Sequence, residues 1–336
     1  MDLSTEYMGL ALRNPLVASP SPLSHTLEGV RRLAAGGVGA IVMFSLFEEQ
    51  LRERAVRTYR LVDDPAESFP EALDYFPSVV EEAAGPRSYL DLLERAVSAV
   101  DIPVIASLNG VTPEGWTDYA RAMQDAGAAA IELNIYYLPA DPEISGPDVE
   151  QRHLDVFHRV KAAVTVPVAV KLKPYFSSPG AIALRLDEAG ADGLVLFNRF
   201  IYPDIDLERL EVRPVVDLSS PADARVARTW IALLRGKVRA SLAATTGVEA
   251  AADVASYLLA GADVVMTTSA LLRHGPRYAT VLLDGLSGWM RHKGFQAVGE
   301  LRGKLSAPDI TDRAAYERAG YVTAMRAANA GGYTPW

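Results

Sequence analysis

VRASLAATTGVEAAADVASYLLAGADVVMTTSALLRHGP, residues 238–276, reads as strand, small-residue turn, helix, Ala-Gly stop, second strand and second small-residue turn. Its two apolar runs, VRASLAA and DVVMTT, are short and nearly continuous, as parallel strands covered on both faces must be. The stretch between them has helical periodicity and stops at Ala260-Gly261. Glycine closing a helix directly before a strand is the αβ turn of a βα repeat.

Outward from this stretch the same unit recurs. Strands are predicted to begin at Pro15 (PLVAS), Val38 (VGAIVMFS), Pro103 (PVIASLN), Ala129 (AAIELN), Pro167 (PVAVKL), Asp192 (DGLVLF), Val238 and Asp263. Further Ala-Gly stops stand at Ala35-Gly36, Ala126-Gly127 and Ala189-Gly190. Eight such units predict a single-domain α/β fold, a (β/α)8 TIM barrel, over residues 1–310. Residues 311–336 are read as a C-terminal helical and irregular appendage. A doubly wound open sheet is the structural rival, since strand order is not legible in one sequence. Two connections are long: residues 46–86 after strand 2 and residues 199–221 after strand 6. Both leave C-terminal strand ends, where barrel enzymes build their sites, so they are candidate lids or partner surfaces.

Composition narrows the function. The 336 residues are 49% hydrophobic and 22% charged, the balance of a folded chain with a large core. Lys and Arg number 33 against 42 Asp and Glu, a formal net charge of −9, and no basic stripe is present, so no nucleic-acid partner is expected. The absence of cysteine excludes disulfides, thiolate metal sites and a Cys nucleophile in this chain. No apolar run reaches membrane-span length, and the start MDLSTEYMGLALRNP lacks signal-peptide character. A cytoplasmic protein with no membrane partner is the expectation.

The predicted strands end in polar residues that would face one mouth: Ser19, Ser45, Asn109, Asn134, Lys171, Asn198, Thr245-Thr246-Gly247 and Thr267-Thr268-Ser269. Lys171 interrupts the apolar VPVAVKLKPYF and must meet an anion or lose its proton. Three roles stay open for it. It can place a cation beside the pyrimidine end of a flavin, form a Schiff base in a sugar-phosphate barrel lyase, or pair structurally with Glu132. Lys173 is expected to be nearer the rim and solvent-exposed. The two turns after strands 7 and 8 bring N–H and hydroxyl groups together where barrels hold phosphate. Of the five histidines, His153 and His158 are expected on a solvated helix surface and His25 near the mouth. Trp116 and Trp230 are read as helix residues packed against the barrel wall, and no metal site is expected.

With these residues in view, the chain resembles the dihydroorotate dehydrogenases, FMN-dependent (β/α)8 barrels, and most of all the dihydroorotate dehydrogenase-like branch that lacks the catalytic Cys. The landmarks are NPLVAS (14–19), IELNIYY (131–137), VPVAVKLKPYF (166–176), LVLFNRF (194–200), residues 245–276 and HKGFQAVGELRGKLS (292–306). The resemblance implies FMN contacts at Ala18, Ser19, Ser45, Asn134, Lys171, Phe197, Asn198, Thr246, Gly247, Thr268 and Ser269. It implies substrate contacts at Phe44, Asn134 and Asn198, with Phe44 standing where the family has a lysine. Tyr137 occupies the position of the family's Cys or Ser base, which makes Tyr137 and Lys171 the candidate catalytic pair. The implied activity is hydride transfer from a dihydropyrimidine-like CH–CH substrate to flavin N5, in the setting of pyrimidine biosynthesis. A redox partner protein and a homodimer are further implications. A catalytically divergent FMN-barrel subunit or scaffold is the non-enzymatic alternative.

Overall fold

The computed structural model describes residues 1–48, 86–110, 116–199, 202–307 and 313–330. Eight parallel strands form the barrel: β1 Leu16–Ala18, β2 Ala40–Val42, β3 Val104–Asn109, β4 Ala130–Asn134, β5 Val168–Leu172, β6 Gly193–Leu196, β7 Ser241–Ala244 and β8 Val264–Thr267. Each pairs with the next, and β8 closes onto β1 through Val265 opposite Leu16. The open-sheet rival is thereby removed. Helices follow the strands in turn: α1 Leu27–Ala35, α2 Pro86–Ala99, α3 Trp116–Asp125, α4 Gly146–Ala163, α5 Pro179–Glu188, α6 Ala224–Leu234, α7 Ala251–Ala260 and α8 Tyr278–Lys293. A short helix, Ser269–His274, precedes α8.

Seven strands start within two residues of the expected positions, but β7 begins at Ser241 rather than Val238. The N–H groups of Arg239 and Ala240 donate to the Asp187 carboxylate instead of to a neighbouring strand, which delays the ladder. At the first helix stop the left-handed residue is Gly37, with φ +102°, and not Gly36, which is still right-handed. Gly261 has φ +125°, and a Cβ there would lie 2.8 Å from the Arg235 side chain, so two separate reasons require glycine.

Period-two alternation sorts the strand residues between two cores. Val17, Val42, Ile105, Ala130, Ala169, Val195 and Met266 face inward, and their small to medium volumes fill the barrel. An N-terminal hairpin, Thr5–Tyr7 with Leu10–Leu12, places Tyr7 and Met8 in this inner core. The larger core lies between strands and helices, and Trp116 on α3 is fully buried in it, with Trp230 on α6 half-buried at its edge. The same alternation aligns Ala130, Glu132 and Asn134 of β4, and Ala169, Lys171 and Lys173 along β5, toward the interior.

After β6 comes an antiparallel hairpin, Pro203–Asp206 with Glu211–Pro214, which accounts for much of the expected 199–221 connection. Of the 46–86 connection only its ends are described, with Leu46–Phe47 pairing beside β3. The rest of that candidate lid lies outside the described residues, as do residues 331–336 of the appendage. The chain divides into two compact units, Met1–Ser306 and Ala307–Trp336, the second containing the helix Arg313–Ala330. Among the described residues no helix is long and apolar enough to cross a membrane.

Candidate active site at the barrel mouth

Strand register assembles the centre of the mouth. Asn134 on β4 lies directly opposite Lys171 on β5. The Lys171 Nζ donates to Glu132 Oε1 at 3.2 Å and to Ser19 Oγ at 3.5 Å. Both ions are buried, at 7% and 1% exposure, so this is an ion pair taken out of water and not a surface contact. The sequence left this pairing open among three roles, and the structure selects it as the lysine's resting partner. Above it, Asn198 Nδ2 donates to Asn134 Oδ1 at 3.0 Å, linking β4 to the end of β6.

The other end of the mouth is built from turns. Thr246 and Gly247 both take positive φ, +80° and +72°. A Cβ at Gly247 would lie 2.6 Å from the Ala224 nitrogen, because the chain entering α6 crosses close over the turn. The Gly247 N–H donates to Ser219 Oγ, which is also hydrogen-bonded to Ser269 Oγ at 2.9 Å. Thr246 Oγ1 donates to the Phe197 carbonyl and Thr268 Oγ1 to that of Ser19, tying the four strand ends together. Ser219 was missed by sequence reasoning. Its signal was the Leu-Ser-Ser-Pro turn at 218–221 just ahead of α6, hidden inside a connection read only as a lid or partner surface.

Ser19, Lys171, Phe197, Asn198, Thr246, Gly247, Thr268 and Ser269 line one cavity of about 130 Å³. A neighbouring cavity of about 350 Å³ shares Phe197, Asn198 and Thr246 with it, and Tyr175 and Tyr202 stand on its far side. Ala18 is buried in the barrel wall beneath Ser19. Ser45 Oγ pairs with Ser107 Oγ at 2.9 Å, in the β2–β3 wall. Phe44 packs edge-on against His25 and Tyr89, with centroids 4.2 and 4.9 Å away. Burial against this ring draws the His25 imidazole below its usual value.

Tyr137 stands apart from the cavity lining. Its ring lies under the Arg152 guanidinium, 4.2 Å from the centroid, and its carbonyl accepts from Lys173 Nζ at 2.8 Å. Two expectations are corrected here. Lys173 is 3% exposed, not solvent-facing, because the Tyr137 carbonyl and the faces of Tyr137 and Phe176 receive its ammonium. Burial lowers its pKa to about 8. His153 is fully buried, not solvated: its Nδ1 bonds the Val149 carbonyl and its ring meets Phe176 edge-on. Burial takes it down to about 4, so the imidazole is neutral. His158 is exposed as expected.

The donor set fits an elongated ligand with a phosphate at one end and an electron-poor ring at the other. Amide and hydroxyl donors gather at Thr246–Gly247, Ser219 and Ser269, and an ammonium sits at Lys171. The turn at Gly247 closes so tightly against the start of α6 that only glycine fits there. Together the two adjoining cavities reach the scale of ~300–1,000 Å³ usual for cofactor clefts.

Residues 2–290 match the family model described as dihydroorotate dehydrogenase. The catalytic subunit of dihydroorotate dehydrogenase B (NAD(+)) from Methanothermobacter thermautotrophicus is 26% identical over 311 residues, covering 90% of this chain and 97% of that protein. Its counterpart in Listeria monocytogenes is 27% identical over 327 residues, covering 89% and 97%. The NAD-dependent dihydropyrimidine dehydrogenase subunit PreA of Escherichia coli is 26% identical over 324 residues, covering 90% and 76%.

Proposed function

The chain belongs to the dihydroorotate dehydrogenase family, and from that premise we propose an FMN-dependent oxidoreductase acting on a dihydropyrimidine-like substrate. The observation that carries this reading is the convergence of a buried ammonium, Lys171, and the Thr246–Gly247 and Thr268–Ser269 turns on one cavity. A bound flavin supplies a two-electron acceptor for hydride there. The substrate gives up that hydride from one carbon and a proton from its neighbour, leaving a C=C bond.

The chain's own groups bind, orient and neutralise. The Gly247 N–H and the hydroxyls of Ser219 and Ser269, which satisfy one another in this structure, are the donors for the phosphate. Lys171 offers fixed positive charge where negative charge develops on the ring, and Ser19 and Glu132 keep it from swinging away. The Asn134–Asn198 pair presents amide edges to a planar substrate with alternating donors and acceptors. Tyr137 is assigned the proton transfer, on its position in the sequence pattern: its hydroxyl passes its own proton to solvent as it takes the substrate's, with Arg152 and the Lys173 contact to its carbonyl holding its ring and backbone.

An ammonium held against a carboxylate has its nitrogen lone pair committed to an N–H bond, which speaks against Lys171 as a Schiff-base nucleophile. Relatives named as subunits support a protein redox partner for the second half-reaction. The reading extends to a cytoplasmic location and to a homodimer.

The test is the absorption spectrum of the purified protein, followed by anaerobic titration with dihydroorotate and with dihydrouracil. A yellow protein bleached by one of them is the expected result. A colourless protein that borohydride couples to a carbonyl substrate would overturn it.

A further inference from the structure

We propose that Arg273 is a positioning residue for the cofactor phosphate: oriented by Glu249, it latches the connection after β6 across the Thr246–Gly247 and Thr268–Ser269 turns, and so sets how much more tightly the protein holds FMN than the same ring without its phosphate. The latch rests on the flavin reading, since it acts through the donors assigned to the phosphate. Arg273 is not among the residues that line the cavity, so its effect passes through Ser219.

Glu249 follows Gly247 by two residues, and its backbone is pinned to two helices. Its N–H donates to the Asp253 carboxylate in the first turn of α7 at 3.1 Å, and its carbonyl accepts from Tyr278 Oη at the start of α8 at 3.2 Å. The carboxylate is thereby presented to the end of the short helix Ser269–His274. There Oε2 accepts from Arg273 Nη1 at 2.6 Å, and Oε1 meets His274 Nε2 at 2.6 Å. Burial opposes ionisation, but the bonds from His274 and Arg273 outweigh it and draw the Glu249 carboxyl below its ordinary value. A guanidinium is a rigid planar fork, so fixing one nitrogen aims the other. The free arm, Nη2, donates to the Ser219 carbonyl at 2.9 Å.

Ser219 is where three separate stretches of chain meet. Its Oγ accepts from the Gly247 N–H at 3.1 Å and donates to Ser269 Oγ at 2.9 Å, and its N–H donates to Ser269 Oγ at 3.0 Å. A phosphate recruits the Gly247 N–H and the two hydroxyls as its own donors, so the bonds that join Ser219 Oγ to Gly247 and to Ser269 are given up on loading. The Arg273 bond uses the Ser219 carbonyl, which a phosphate has no use for, and it survives. It therefore keeps the serine over the turns at the moment its own partners face the ligand. The side chains of Arg273 and Glu249 are 32% and 27% exposed, so their pairing is partly screened, and its main value lies in aiming the guanidinium.

The test compares two ligands that differ only in the phosphate. The full chain, stripped of flavin, is titrated with FMN and with riboflavin as wild type, Arg273→Met, Arg273→Lys and Glu249→Gln, with circular dichroism confirming that each is folded. Wild type is expected to bind FMN more tightly than riboflavin. In Arg273→Met, FMN binding falls by about tenfold to a hundredfold, the range of a lost charged hydrogen bond, while riboflavin binding stays as in wild type. Arg273→Lys recovers part of that loss, because an ammonium still reaches the Ser219 carbonyl but lacks the fork that Glu249 aims. Glu249→Gln weakens FMN binding alone, and by less than Arg273→Met. These two milder variants carry the same comparison if Arg273→Met does not fold. A wild type that binds neither flavin, or both alike, overturns the flavin reading and the latch with it. A wild type that prefers FMN beside variants that keep the same preference overturns the latch alone, as does a loss shared equally by FMN and riboflavin.

Discussion

The Nζ of Lys171 lies 3.2 Å from one carboxylate oxygen of Glu132, while the other oxygen of that carboxylate is buried with no hydrogen-bond partner among the described residues. A buried pair satisfied on one side only contributes little net stability, yet breaking it is costly because one charge is stranded. Lys171→Met is therefore expected to destabilise the protein by about 3–5 kcal/mol and to weaken flavin retention. Adding Glu132→Gln in the same chain removes the stranded charge and recovers most of the stability without recovering the flavin. Glu132→Gln alone, whose amide oxygen still accepts from Lys171, keeps the colour and raises the midpoint potential of the bound flavin, since less negative charge opposes the ammonium. Urea titrations of the three variants, with visible spectra and redox titration, check this.

Two buried bases each add a slope to the pH dependence of stability. His153 titrates at about 4 in the fold against 6.5 unfolded, and Lys173 at about 8 against 10.5. In both windows the unfolded chain binds more protons at these two sites, so His153 contributes stability that rises with pH from about 4 to 6.5 and Lys173 one that rises from about 8 to 10.5. His153→Leu is expected to flatten the acid limb and Lys173→Met the alkaline one. Denaturant midpoints across pH, with each variant beside wild type, read this directly. An unchanged acid limb in His153→Leu would show that the imidazole is not held neutral.

The barrel and the gathering of strand ends were legible because they rest on local rules: apolar runs at strand length, Ala-Gly stops at the ends of four helices, polar residues where strands meet solvent. What was not legible depended on partners far off in the chain. Lys173 looked like a rim lysine until the Tyr137 carbonyl, brought in from β4, supplied an acceptor. The burial of His153 is, by contrast, local: Val149, His153, Val156, Phe157 and Val160 form one buried helix face at 3.6-residue spacing. Ser219 joined the site only through the fold-back of the connection after β6 onto the turns after β7 and β8.

Gly247 and Gly190 both have positive φ, +72° and +94°, but only Gly247 is crowded. Gly190→Ala is expected to cost about 1–2 kcal/mol from backbone strain alone and to leave the flavin in place. Gly247→Ala adds a collision with the chain entering α6, so its loss of stability is larger, and the displaced N–H no longer serves the phosphate. The protein is then expected to purify colourless, with weak recovery on added FMN. Thermal melts and flavin stoichiometry of the two variants separate strain from site.

Tyr137 presents two separable features, a ring packed under Arg152 and a hydroxyl. Tyr137→Phe keeps the ring, its contact with Arg152 and the carbonyl bond to Lys173, so stability is expected to change by less than ~0.5 kcal/mol and the flavin spectrum to be that of wild type. If the hydroxyl takes the substrate proton, the rate of flavin bleaching in single-turnover mixing falls by the ~100- to 10,000-fold typical of a lost general base, with substrate affinity little altered. Arg152→Gln frees the ring while leaving the hydroxyl, and is expected to slow bleaching less than Tyr137→Phe. A Tyr137→Phe protein that bleaches at the wild-type rate would confine this residue to packing, and the proton would have to leave through another group at the mouth.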